Sequence, residues 1–181
     1  MRLRIIAGQL GGRLFEAPAG FATHPMGERV RGALFNALGD IAGLTVLDPF
    51  AGSGALSFEA VSRGAASSLA IERDRSAQKV IAANITMLGI DNKVKLVRAN
   101  CASWSTNNPD KIFDLVVCDP PYNDFKLSTI FAIVNHVKPN GLMVLSYPGR
   151  ESAPTVNGVV VVDNKRYGDA ALAFYRKVPK V

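Results

Sequence analysis

Apolar and polar positions change their period along this chain. Val30, Leu34, Phe35 and Leu38 recur at helical spacing within residues 27–38, and Val80, Ile81, Ile85 and Leu88 do so within 76–88. Apolar-rich segments predict strands at 45–47, 68–72, 94–98 and 141–147, and a nearly continuous apolar run occupies 113–118. Runs of this kind read as strands buried on both faces. With further helices at 56–63 and 127–136, strands and helices alternate, which predicts a doubly wound, mostly parallel α/β sheet. Residues 159–162 and 171–176, joined through Lys165 to Asp169, add an antiparallel end pair and bring the sheet to seven strands. Upstream, residues 4–7 and 13–16 flank Gly11-Gly12 and predict a small β-hairpin. The expected organisation is an N-terminal hairpin appendage over 1–22 and one α/β domain over 23–181.

Composition agrees with one globular domain. The chain has 181 residues, 48% hydrophobic and 20% charged, which excludes wholesale disorder. No run approaches the length of a membrane span. The opening, Met1 to Ile6, is basic and lacks the long apolar stretch of a secretory leader. Two cysteines, Cys101 and Cys118, make no disulfide framework and cannot complete a metal site alone. These features predict a soluble cytoplasmic protein without a resident metal.

Charge is unevenly placed. Residues 1–31 carry five arginines against two glutamates, and residues 163–181 carry five basic against two acidic side chains. The 131 residues between hold 11 of each sign, so the whole excess of +6 lies at the two ends. A polyanion such as RNA is the natural partner of such flanks, with Arg4, Arg13, Arg29 and Arg31 as candidate contacts. A solvated basic hairpin is the competing reading.

Candidate chemistry gathers at four strand ends, where doubly wound sheets bind ligands. The first is Asp48-Pro49-Phe50-Ala51-Gly52-Ser53-Gly54, whose glycines and following helix N-terminus suit a closely held ligand. It departs from the dinucleotide fingerprint, because Ser57 stands where the third Gly or Ala would be. The second is Glu72-Arg73, an acidic strand end able to accept two ribose hydroxyls, or a solvated surface pair. The third is Asn100-Cys101, either an adenine contact or simple turn chemistry. The fourth, Asp119-Pro120-Pro121-Tyr122, is the most specific. The prolines fix the backbone, so the Asp119 carboxylate and the Pro120 carbonyl can face one point. Two acceptors there could hold both N–H groups of a planar amine and favour a pyramidal nitrogen, with Tyr122 stacked on a base. His24, His136 and Trp104 read as structural or surface residues.

These strand ends resemble the ordered motifs of class I S-adenosylmethionine-dependent methyltransferases acting on exocyclic or amide nitrogens, a Rossmann-like fold. Arg4 to Gly8, Gly12-Arg13, Thr23-x-Pro25, Arg29-Val30-Arg31, Ala33 to Asn36, Leu56 to Ala65 and Arg166 to Asp169 further resemble the RsmD family. That family methylates N2 of a guanine in 16S ribosomal RNA, at position 966 in the rRNA numbering. The resemblance implies S-adenosylmethionine as cofactor, S-adenosylhomocysteine as product, and 16S rRNA or an assembling small subunit as partner. Asp48 and Phe50 to Gly54 would hold the methionine part, Glu72 and Arg73 the ribose side, and Asn100 and Cys101 the adenine. Asp119, Pro120, Pro121 and Tyr122 would hold the target guanine, with the protein acting as a monomer. The chain departs from the family's usual Arg, Thr, Asp and Glu at His24, Met26, Glu28 and Gly32, which bears on local contacts to cofactor and RNA.

The same Asp-Pro-Pro-Tyr chemistry serves adenine N6 or a protein glutamine. From another class, a catalytically idle RNA-binding assembly factor would also retain the fold. An NAD-dependent oxidoreductase leaves Asp119 to Tyr122 without a role.

Overall fold

The computed structural model describes residues 1–19, 25–124 and 126–179. Strands β1 (Arg2–Arg4) and β2 (Leu14–Glu16) precede α1 (Glu28–Leu38), β3 (Thr45–Asp48), α2 (Ala55–Ser62), β4 (Ser67–Glu72) and α3 (Arg75–Leu88). There follow β5 (Val94–Arg98), α4 (Cys101–Asn107), β6 (Phe113–Cys118), a 3-10 turn at Tyr122–Asp124 and α5 (Leu127–Val134). The chain finishes with β7 (Val137–Pro148), β8 (Val159–Tyr167) and β9 (Ala170–Lys177).

Seven strands join in the order β5-β4-β3-β6-β7-β9-β8. β3 pairs in parallel with both β4 and β6, while β9 runs antiparallel between β7 and β8. The chain steps outward from β3 to β4 and β5, then returns to place β6 on the other side. That reversal opens a crevice at the carboxyl ends of β3 and β6, the place where open α/β sheets take ligands. The expected seven-stranded, Rossmann-like sheet with an antiparallel end pair is present.

Local signals explain most elements. α3 starts at Asp74, whose side chain accepts from the Ala77 N–H, and stops at Gly89 in the left-handed conformation. Its buried face includes Ile81, Ile85 and Leu88. α2 differs, because all eight of its residues are buried. Its polar side chains are matched inside: Ser57 to Asp48, Ser68 to Ser57, and Ser62 to the Leu10 N–H and Ala7 carbonyl. Burial of such groups is tolerable only with partners of this kind.

The N-terminal pairing is two residues earlier than expected, at Arg2–Arg4 instead of 4–7. Residues 6–10 leave the hairpin to run along α2, while Ile5 still pairs with Arg13 and Gly12. Ile6 and Ala7 donate their N–H groups to the Glu59 carboxylate at 2.8 and 3.1 Å, and Gln9 donates to the Ser62 carbonyl at 2.8 Å. Gly8 has φ +85°, and a Cβ there would lie 1.9 Å from the Ser62 oxygen, so only glycine permits this approach. Ile5 and Phe15 are buried in one cluster with Phe58, Ile81 and Ile85, and the Phe15 and Phe58 rings meet edge to face at 5.1 Å. The hairpin thus shares its core with the sheet. The expected boundary at 22/23, and His24, lie outside the described residues.

Two further differences have local causes. α4 has no clear apolar stripe; it is started by Asn100, whose Oδ1 accepts from the Ala102 and Ser103 N–H groups. The β8–β9 connection is tighter than a loop over 165–169, because β8 pairs through to Tyr167 opposite Ala170 and only Gly168 and Asp169 turn the chain.

Candidate functional site

Building the site starts at β3. Asp48 ends the strand fully buried, and Pro49 to Gly54 then cross to the start of α2. Gly54 takes φ +82°, and a Cβ there would come within 2.6 Å of the Phe58 ring. No side chain caps α2, so the first N–H groups of Ala55 and Leu56, both on the cleft wall, have no helical acceptor. An electronegative group placed there is favoured by the helix end.

The loop is held from the neighbouring strand. Glu72 Oε2 accepts the Gly52 N–H at 2.7 Å, Oε1 accepts the Asp74 N–H at 2.8 Å, and Ala51 donates to the Ile71 carbonyl at 3.0 Å. Glu72 is therefore a built corner of the cleft, with lone pairs remaining on both oxygens for hydroxyl donors. Arg73 pairs with Asp124 at 2.9 Å, linking the end of β4 to the turn after β6.

Asp48 lies beneath this loop instead of on the cleft wall. Ser57 donates to its Oδ2 at 2.8 Å, while the buried Oδ1 has no partner. Burial, partly offset by Ser57 and reinforced by the nearby Asp119 and Glu72 carboxylates, lifts its pKa to about 7. Its unsatisfied oxygen and the glycine loop above fit a ligand carrying a cationic amine close by.

The fourth strand end faces the same space. Asp119, Pro120, Pro121 and Tyr122 line a cleft of about 1020 Å³ together with Phe50 to Ser53, Glu72, Arg73, Asn100 and Cys101. That volume is at the upper end of small-molecule sites, enough for a nucleoside cofactor beside a second planar group. Burial raises Asp119 to about 6, against a hydrogen bond from the Ser146 hydroxyl that lowers it. The Tyr122 hydroxyl lies 2.8 Å from Ser146 Oγ, so Ser146 bridges the two and fixes the Tyr122 ring, which stays 40% exposed.

Most candidate residues converge here, with two qualifications and one correction. Asn100 Oδ1 is spent on capping α4, so turn chemistry is its structural role and only its amide N–H groups remain free for a ligand. Cys101 and Cys118 are buried thiols whose pKa values are pushed up, to about 12 for Cys101, so neither is a nucleophile. The correction concerns Arg31, expected to contact RNA. It is 0% exposed, donates to the Met26 and Arg4 carbonyls, and faces Glu59 at 3.7 Å. Its position on the inward face of α1 beside Leu34 and Phe35 assigns it to the core. Arg4, Arg13 and Arg29 are exposed. Arg4 pairs with Glu28 at 2.7 Å, and Arg13 reaches the Leu88 carbonyl at 3.2 Å, at the end of α3.

Sequence reasoning missed Ser146 and Glu59, took Ser57 only as a departure from the dinucleotide fingerprint, and gave the β8–β9 turn no place in the site. Ser146 was detectable as the lone serine in the apolar run of β7, at the carboxyl end that Asp119 shares. Glu59 within a helix of otherwise small and apolar residues was a similar signal. His136 is structural, buried between Ser105 Oγ at 2.8 Å and the Lys111 carbonyl at 2.6 Å, with Trp104 packed on its ring. Of the positions that depart from the family pattern, Met26 lines the cleft, Glu28 holds Arg4, and a Cβ at Gly32 would lie 3.6 Å from the Ile6 side chain. Among the described residues no cluster of potential metal ligands occurs, and no helix is long and apolar enough to cross a membrane.

A Rossmann-like sheet with this antiparallel end pair and an Asp-Pro-Pro-Tyr corner at its switch point defines a class I methyltransferase fold. Within that class the chain belongs to the RsmD family, described as Conserved hypothetical protein 95, whose model matches residues 3–176. Ribosomal RNA small subunit methyltransferase D of Escherichia coli K12 is 36% identical over 77% of this chain and 69% of its own. YlbH of Bacillus subtilis, provisionally described as an rRNA methyltransferase, is 30% identical over 97% of this chain and 99% of its own. The solved structure of Escherichia coli yhhF, provisionally a methyltransferase, superposes with a TM-score of 0.88 at 31% identity, covering 99% of this chain and 100% of that one. SMU.776, a provisional methyltransferase solved with S-adenosylhomocysteine, shares the fold at a TM-score of 0.69 and 17% identity over 82% of this chain and 48% of its own.

Proposed function

We propose that this chain transfers a methyl group from S-adenosylmethionine to the exocyclic N2 of a guanine in 16S rRNA, the guanine at position 966 being the family expectation. The observation that carries the reading is the Asp119-Pro120-Pro121-Tyr122 corner, sharing one cleft with the glycine loop and Glu72. Family membership and relatives described as rRNA methyltransferases support the same substrate class.

The residues divide the work. Phe50 to Gly54 and the N-terminus of α2 would take the methionine part, with the buried Asp48 charge beneath favouring its amine. Glu72 would accept the ribose hydroxyls, and the Asn100 amide with the start of α4 would border the adenine. The cofactor supplies a methyl already activated by a sulfonium, so the protein's task is placement of the amine in line with it. The ionised Asp119 carboxylate and the Pro120 carbonyl hold the two N–H groups, and the Tyr122 ring carries the base. Asp119 need not be a strong base, because the amine becomes acidic once methylated. The target must be unpaired or flipped out to enter. Arg4, Arg13 and Arg29 would track the phosphate backbone. We assign the activity to a monomer in the cytoplasm.

Labelled S-adenosylmethionine with small ribosomal subunits, followed by mass-spectrometric mapping, tests this. N2-methylguanine at one 16S site supports it. Label in DNA, protein or another RNA overturns the substrate while leaving the chemistry, and cofactor binding without transfer to any of these would identify an idle assembly factor.

A further inference from the structure

Five carboxylates line the cleft: Glu72, Asp74, Asp119, Asp124 and Asp169. Four are engaged by the protein's own groups. Glu72 holds the Gly52 and Asp74 N–H groups, Asp74 caps α3, Asp124 pairs with Arg73, and Asp119 takes the Ser146 hydroxyl. Asp169, among the described residues, has no hydrogen-bond or ion-pair partner for its carboxylate.

Its position is set by the sheet. β9 pairs antiparallel with β7, with Leu172 opposite Ser146 and Ala170 opposite Pro148, so the Gly168-Asp169 turn projects past the carboxyl end of β7. The Gly149 N–H fixes it by donating to the Asp169 carbonyl at 2.8 Å. That turn forms the wall beyond Asp119, Ser146 and Tyr122, on the side away from the glycine loop. Asp169 is exposed at the cleft wall, so water supplies its donors until a ligand group with N–H donors replaces it. Among the nucleobases, guanine alone offers two adjacent donors on its Watson–Crick edge, N1–H and the N2 amine. Adenine and cytosine present a lone pair beside the amine. Uracil presents one N–H between two carbonyl oxygens.

We infer that Asp169 is the base-selecting residue of this site, accepting the guanine N1–H while Asp119 and Pro120 hold the N2 amine. The inference rests on the guanine-N2 reading above and deepens it: adenine presents to Asp169 a lone pair that the carboxylate repels. Selection therefore comes from a residue late in the chain, outside the Asp-Pro-Pro-Tyr corner shared by methyltransferases of other amines.

The test uses 16S rRNA ligated with guanine or 2-aminopurine at the mapped target and reconstituted into small subunits. 2-Aminopurine keeps the 2-amine but replaces N1–H with a lone pair. Wild type should prefer guanine by roughly 10- to 100-fold in kcat/KM, the scale of one good base contact. Asp169→Asn, whose amide can donate to that lone pair, should lose about 10-fold on guanine and gain on 2-aminopurine, with S-adenosylmethionine affinity unchanged. A merely structural role would move both substrates together. If wild type methylates guanine but the variant shifts both substrates equally, or neither, the Asp169 assignment falls alone. If wild type places no label on guanine, the guanine reading falls and takes this inference with it.

Discussion

Ser57 Oγ donates to Asp48 Oδ2 at 2.8 Å with both residues fully buried. The position that breaks the dinucleotide fingerprint is thus the support of the strand-end carboxylate. A third glycine would leave Asp48, which already has an orphaned Oδ1, with no side-chain partner at either oxygen. Ser57→Ala should destabilise the protein by about 1–3 kcal/mol, the cost of an unsatisfied buried acceptor. The loss, followed by urea denaturation, should be larger at pH 8 than at pH 5, where Asp48 is protonated. Equal losses at both values would refute the role.

Asp48 also sets a pH dependence of stability. Its folded pKa of about 7 lies above its ordinary value of 3.8, so the folded state binds the extra proton between them. Stability from this group is greatest below about pH 4, falls as pH rises toward 7, and is level above. Asp48→Asn should flatten that fall, removing on the order of 2–4 kcal/mol of pH-dependent difference. Denaturation midpoints from pH 4.5 to 8 measure it, and an unaltered slope in the variant counts against it.

Methyl transfer should weaken in acid through Asp119. With its pKa raised to about 6, this group loses its acceptor charge as pH drops below that value. At saturating cofactor the single-turnover rate should fall with an apparent pKa near 6. Asp119→Ala should lower the rate by about 10²-fold or more, as loss of one positioned polar contact does elsewhere. RNA binding should survive, since Tyr122 stacking contributes separately. A variant retaining full rate would remove Asp119 from the chemistry.

The two neighbouring arginines of α1 should behave as opposites. Glu59→Gln would leave Arg31 buried opposite a neutral group, and pairs of this kind cost about 3–5 kcal/mol to break. Its signature is thermal: a lowered Tm with the salt dependence of RNA binding intact. Arg29→Ala should leave the Tm unchanged and reduce the salt slope of RNA binding by about 0.7–0.9. Thermal melts and binding titrations at several salt concentrations separate the two.

Legibility followed physical range. The parallel strands were readable because burial on both faces demands continuous apolar runs, as in Phe113 to Cys118. The Asp119 to Tyr122 corner was readable because prolines constrain the backbone locally. α4 was not, since its start depends on one Asn100 cap and its polar sequence fits a loop equally well. Arg31 misled for the opposite reason: an arginine among arginines looks like a surface charge, and the Arg4 carbonyl and Glu59 that hold it inward lie 27 residues before and 28 after it. Ser146 reaches Asp119 through the β6–β7 register and Asp169 reaches the same cleft through the β7–β9 register, long-range pairings invisible in local pattern.

The position of β9 between β7 and β8 also imposes an order on synthesis. β8 leaves the ribosome before β9, yet its sheet hydrogen bonds are all to β9. Until β9 emerges, Val160, Val161 and Val162 belong to a nascent strand with nothing to pair with, and the turn bearing Asp169 has no sheet to project from. The acceptor side of the cleft is therefore assembled only once β9 has been made. A chain stalled or clipped before residue 170 would retain the glycine loop, Glu72 and Asp119, and lack the wall that closes the base site.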